Sequence, residues 1–189
     1  MPSAVETEVK FRIEDIRALT AKLPEAGFRL ITPRTHETNT LFDLPGRPLR
    51  RKGSLLRIRR YGERWTVTFK GKAVVGRYKS RREIETAVED GKILTAILES
   101  AGFNPVFSYE KFRSEWSDGQ GHLLIDETPI GNFGEIEGPG EWIDAIARRL
   151  EISSAHYITD SYAVLFLKWK RRTHSKAKNM CFDEVKFSN

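Results

Sequence analysis

The chain has little of what several common kinds of chemistry need. Its 189 residues include one cysteine, Cys181, which rules out an internal disulfide. That thiol lies in a polar C-terminal stretch with no evident catalytic partner, and it reads as incidental. The four histidines, His36, His122, His156 and His174, show no metal-ligand spacing. No apolar run approaches the roughly 18 residues of a membrane-spanning helix, which excludes one. No phosphate loop of the G-x-x-x-x-G-K-[ST] kind occurs, because "FKGKAVVGR" has the wrong spacing. No charged-then-apolar leader precedes "VETEVKF", so a reducing, cytoplasmic compartment is expected.

What the chain does have is charge. Charged residues make up 31% and hydrophobic ones 39%, with a net charge of +6. That apolar share and length suit one domain with a substantial core, expected over 1–172. A basic polar tail, 173–189, is expected to be partly ordered at best. The positive balance points to an anionic partner but leaves nucleic acid, polyphosphate and nucleotide open.

The charges are patterned. In "ETEVKF", Glu6, Glu8 and Lys10 are spaced by two, so a β-strand puts them on one face and Val5, Thr7, Val9 and Phe11 on the other. Arg57 and Arg59 flank Ile58, and Thr66, Thr68 and Lys70 alternate with Trp65, Val67 and Phe69. Glu83 and Glu85 flank Ile84, Lys111 and Arg113 flank Phe112, Glu135 and Glu137 flank Ile136, and Asp126 follows Ile125. Each strand thus has an apolar face to bury and a charged face, with acids gathered on some strands and bases on others. Between the strands, helical periodicity is expected within 12–28, 89–103, 141–151 and 158–172, with Asp90 as an N-cap and Gly27 and Gly102 as stops. The segments "LTAKLPEAGF" at 19–28 and "LTAILESAGF" at 94–103 agree at seven of ten positions. Either two amphipathic helices converged, or a strand-helix unit was duplicated.

Two arrangements accommodate the pattern. An open sheet can pack its apolar face on helices and show the charged face to water. A sheet closed into a barrel puts the charges in a tunnel instead, which is costly unless something of complementary charge fills it. Lys10, Arg57, Arg59, Lys70, Lys111 and Arg113 suit phosphate oxygens. Glu6, Glu8, Asp126, Glu135 and Glu137, with Glu83 and Glu85 less certain, suit a hard cation such as Mg²⁺ or Mn²⁺. Acids and bases on one inner wall therefore point to a metal-bound polyphosphate.

The ordered set E-x-E-x-K, "RIR", the lysine of "TFKG", "EIE", "EKFR", "IDE" and "EIE" resembles the CYTH superfamily of triphosphate tunnel metalloenzymes, over Glu6 to about Tyr162. The resemblance implies an α+β fold, a closed eight-stranded antiparallel β-barrel with α-helices packed outside. It implies Glu6, Glu8, Glu135 and Glu137 as metal ligands, with Asp126 near the metals or orienting a ligand. Lys10, Arg57, Arg59, Lys70, Lys111 and Arg113 then bind triphosphate, and Glu6, Glu8, Glu137 and Lys10 form the catalytic set. Glu83 and Glu85 are either outer ligands or partners that hold basic side chains extended, and Tyr162 is a core aromatic. The implied reaction is metal-assisted attack on a small-molecule triphosphate: tripolyphosphate, ATP or thiamine triphosphate. A divalent-metal-dependent phosphohydrolase comes first. A class IV adenylate cyclase making cyclic AMP and pyrophosphate, and a non-catalytic polyphosphate or RNA-end binder, are the alternatives. No membrane or nucleic-acid partner is expected, and a homodimer is left open.

Overall fold

The computed structural model describes residues 4–185. Nine strands are present among them: β1 (Ala4–Arg12), β2 (Arg29–Asp43), β3 (Leu55–Tyr61), β4 (Arg64–Lys70), β5 (Val74–Val75), β6 (Lys79–Val88), β7 (Asn104–Ser117), β8 (His122–Thr128) and β9 (Gly131–Glu137). Pairing runs β1-β9-β8-β7-β2-β3-β4-β6, and β6 returns to β1, closing an eight-stranded antiparallel barrel with the short β5 added beside β6. At the closure Glu8 stands between Glu137 of β9 and Lys79 of β6. The alternation therefore resolves in favour of the closed arrangement.

The apolar faces turn outward and meet α1 (Ile16–Lys22), α3 (Gly91–Ser100), α4 (Gly140–Arg149) and α5 (Tyr162–Thr173). Val9, Phe11, Leu123, Ile125 and Ile136 pack with Leu23 and Phe28 and with Trp142, Ile143 and Ile146 of α4. A second cluster gathers Tyr109, Phe133, Tyr162, Leu165, Phe166 and Met180. The helical segment expected within 12–28 is Ile16–Lys22, which ends before Pro24, and the chain then turns through Gly27 at φ 87°. Asp15 and Asp90 cap α1 and α3 in the same way, each accepting from the backbone N–H groups two and three residues on. A one-turn helix, α2 (Pro48–Arg51), lies between β2 and β3. Asp43 induces it by accepting from the N–H groups of Leu49 and Arg50.

Of the stretch after Thr173, the described residues are held against β7 as far as Val185, and 186–189 of the expected tail lie outside the described residues. Met180 is wholly buried, bridges Tyr109 in parallel and accepts from Glu110 N–H at 3.1 Å. Two apolar side chains and a strand-like backbone outweigh the polarity of their neighbours. Contrary to expectation, not every apolar strand face is buried: Val5 is 70%, Ile84 47% and Phe69 37% exposed. The reason is that α3 covers only the β3 and β4 side, with Gly91 against Trp65, where a Cβ would come within 2.1 Å of the indole.

Candidate functional site

The lumen is a cavity of about 1010 Å³, and its wall is charged. Inward positions of β1 and β9 bring Glu6, Glu8 and Glu137 together, with one carboxylate oxygen of each within 4.8 Å of the others. Glu6 pairs with Lys70 at 2.8 Å and Arg81 at 3.7 Å, and Glu8 with Lys10 at 3.0 Å and Lys79 at 2.5 Å. Among the described residues no cationic side chain lies within 4.0 Å of Glu137. Burial and the charges of Glu135, Glu6 and Glu8 push the Glu137 carboxyl well above its ordinary range, against the pull of Arg113. Burial opposes ionisation of Glu8 too, but Lys10 and Lys79 outweigh it and hold that carboxyl at about 2. Three hard oxygen donors around a gap, one of them lacking a counter-charge, fit Mg²⁺ or Mn²⁺.

Glu135 and Asp126, expected beside them as ligands, lie outside that group. Asp126 is wholly buried and accepts from Lys111 at 2.8 Å, Arg113 at 2.6 Å and the Tyr162 hydroxyl. Glu135 pairs with Lys10 at 3.4 Å and Arg113 at 2.9 Å. Burial works against its ionisation, yet Lys10, Arg113 and Lys111 hold its carboxyl well below the ordinary range. Both acids are spent on cations. Tyr162 is the core aromatic expected, packed on Tyr109 and Phe133, and its hydroxyl also ties α5 to this knot.

The remaining bases line β3, β4 and β7. Arg57 and Arg59 reach Glu85 at 3.5 and 3.0 Å, and Lys70 reaches Glu83 at 2.6 Å. Glu83 and Glu85 thus stand among the bases and hold them extended. Burial and a hydrogen bond with Glu6 raise the Glu83 carboxyl.

Sequence reasoning missed several inward-facing polar residues, Glu37, Asn39, Lys79 and Arg81 among them. Glu37 and Asn39 are buried on β2, with Glu37 Oε1 accepting from Asn39 at 2.8 Å and standing 3.5 Å from the Lys111 ammonium. Lys79 and Arg81 precede Glu83 and Glu85 on the same face of β6. Alternation in "HETN" and "KSRRE" was the available signal. β6 therefore mixes both signs, contrary to the expected segregation. Glu37 Oε2, Asn39 Oδ1, Arg57 Nε and Arg81 Nε have no hydrogen-bond partner in the protein. Buried polar atoms left unsatisfied in this way are open to water or a ligand.

A closed antiparallel barrel whose lumen carries acids and bases side by side defines the class of protein to which this fold belongs. The CYTH domain family model matches residues 4–162, and the chain belongs to that family. It is 28% identical over 172 residues to a proposed adenylate cyclase of Methanocaldococcus jannaschii, spanning 85% of this chain and 98% of that one. A Vibrio parahaemolyticus structure, also a proposed adenylate cyclase, has TM-score 0.79 at 20% identity over 88% of this chain and 99% of that one. A Hippeastrum structure has TM-score 0.60 at 20% identity, covering 86% of this chain and 95% of that one. That protein is a proposed adenylyl cyclase whose dominant activity is triphosphatase.

Proposed function

We propose that the chain is a divalent-metal-dependent phosphohydrolase of inorganic or organic triphosphates. The observation that carries this reading is the clustering of Glu6, Glu8 and Glu137, the last without a cationic partner among the described residues, in a cavity that Lys10, Arg57, Arg59, Lys70, Lys111 and Arg113 also line. Glu6, Glu8 and Glu137 would hold Mg²⁺ or Mn²⁺, which when bound supplies neutralisation of charge on the phosphoryl oxygens. Arg57 and Arg59 offer forked donors to non-bridging oxygens, and Lys10, Lys70, Lys111 and Arg113 add fixed positive charge deeper in the lumen. Because these cations are already paired, Lys10 with Glu8 and Glu135 and the others with Glu83, Glu85, Glu37 and Asp126, they stay extended and need little reorganisation when the anion enters. The proton of the attacking water goes to one of the three carboxylates. Burial and the neighbouring carboxylates raise the proton affinity of Glu137, which makes it a candidate for that base.

The same cradle serves a cyclase in which the ribose 3′-hydroxyl of ATP attacks and pyrophosphate leaves, and the relative's proposed cyclase activity favours keeping this second reading. The Hippeastrum protein carries a dominant triphosphatase activity in the same barrel, so a cyclase name does not by itself decide the reaction. The deciding experiment incubates the chain with Mn²⁺ or Mg²⁺ and either tripolyphosphate or ATP and resolves the products. Orthophosphate without cyclic AMP is the expected result. Cyclic AMP with pyrophosphate replaces the hydrolase by the cyclase.

A further inference from the structure

We propose that Glu110, Cys181 and Asp183 form a second metal site on the outside of the barrel, suited to a borderline dication of the zinc kind. The tunnel does not use these residues. Tyr109 and Lys111 line the lumen, so Glu110 between them faces out. The C-terminal segment is laid along it by the Tyr109–Met180 bridge, by Met180 N–H to Ser108 O at 3.0 Å, and by Phe182 N–H to Glu110 Oε1 at 2.6 Å. One ligand atom from each of Glu110, Cys181 and Asp183 then lies within 4.8 Å of the others.

The mixture of donors separates this cluster from an ordinary acidic patch. A thiol combined with carboxylates selects zinc-like ions over Mg²⁺, which prefers oxygen alone. His36 Nε2 lies 2.8 Å from Glu110 Oε2 and so supplies the outer hydrogen bond that orients a ligating carboxylate. Glu110, Glu184 and Asp183 place negative charge around Cys181, whose thiol, like any ordinary one, carries its proton at neutral pH when no cation is bound. The same negative field attracts a dication. On coordination the S–H bond breaks, the proton leaves to solvent and the sulfur–metal bond forms in its place. The bound ion clamps the C-terminal segment to β7, beside the buried Met180.

The test uses the full chain freed of metal by a chelator and titrated with Co²⁺. A near-ultraviolet thiolate-to-cobalt charge-transfer band should appear, and tunnel carboxylates cannot produce it. Cys181→Ser should abolish the band while leaving triphosphate turnover unchanged. Asp183→Asn and His36→Gln should weaken the cobalt affinity by on the order of tenfold or more. Glu8→Gln, which removes a tunnel carboxylate, should leave the band in place. In the unmodified chain, Zn²⁺ should slow the reaction of Cys181 with Ellman's reagent. A titration that saturates without a thiolate band, or a thiol reactivity indifferent to Zn²⁺, overturns the site whatever the tunnel proves to do.

Discussion

Two sets of carboxylates share one lumen and behave as opposites. Asp126 and Glu37 are wholly buried, and their charges are met by Lys111, Arg113 and neighbouring donors. Glu6, Glu8 and Glu137 crowd one another around a gap, and Glu137 has no cation of its own. The residue types are the same, but Asp126 and Glu37 are pinned by Lys111 and Arg113, while Glu6, Glu8 and Glu137 stand close enough together to share a cation, the role proposed for them above. A buried acid in this protein therefore reveals its role through what surrounds it and through how much of its charge is already answered.

The largest effect expected from this contrast is on stability. Asp126→Asn leaves Lys111 and Arg113 short of a counter-charge and should cost about 3–5 kcal/mol, the scale of breaking a buried pair from one side. Denaturant unfolding measures it, and a loss below about 1 kcal/mol would place Asp126 with the open set after all. Next comes Glu137→Gln, which should lower metal-dependent triphosphate turnover by about 10²–10³, the scale of removing one preorganised electrostatic group. Its metal-free melting temperature should stay the same or rise, because an amide replaces a carboxyl that already favours its proton. A coupled loss of stability and activity would erase the distinction between the two sets.

The smallest effect is on pH dependence. Burial raises the Glu37 carboxyl, but Lys111, Arg113, Arg59 and Arg57 outweigh it and hold it at about 2, against an ordinary value of 4.5. A carboxyl depressed by folding adds stability that is full above its unfolded value and is lost as pH falls toward the folded one. Glu37→Gln should therefore flatten the acid side of the stability curve between about 4.5 and about 2. Curves that stay parallel through that window would show that Glu37 is not held by its basic neighbours.

The barrel was legible because its signal is local and repeated. Alternation spaced by two in "ETEVKF", "LRIRR" and "EIE" assigns each side chain to a face, whatever the neighbouring strand. The same logic found most of the lumen and overlooked Glu37, Asn39, Lys79 and Arg81, whose alternation is equally plain but whose types are mixed. It could not sort Asp126 and Glu135 from Glu6, Glu8 and Glu137. All five are inward acids, and their difference lies in cross-strand partners far apart in the chain. For Asp126 the decisive partners are Arg113 across the β7–β8 pair and Tyr162 on the last helix.

The repeated segments give the same lesson. Asp15 with Gly27 and Asp90 with Gly102 produce matching caps and stops, as the shared residues require. Their burial differs: Leu23 and Phe28 are enclosed in the core beneath α4, while their counterparts Leu98 and Phe103 are only half-buried. Cap and stop follow from short-range hydrogen bonds and backbone freedom, which the sequence carries with it. Burial depends on which element packs above.

By itself the sequence determined which residues alternate, where helices begin and stop, and which side chains face inward, because those follow from backbone geometry over a few residues. Only the tertiary structure decided that the sheet closes on β1 and β6, that Glu137 stands without a cation while Asp126 has its full set, and that Cys181 meets Glu110. Each of these depends on distances between segments remote in the chain, which are fixed when the apolar outer faces find their covers.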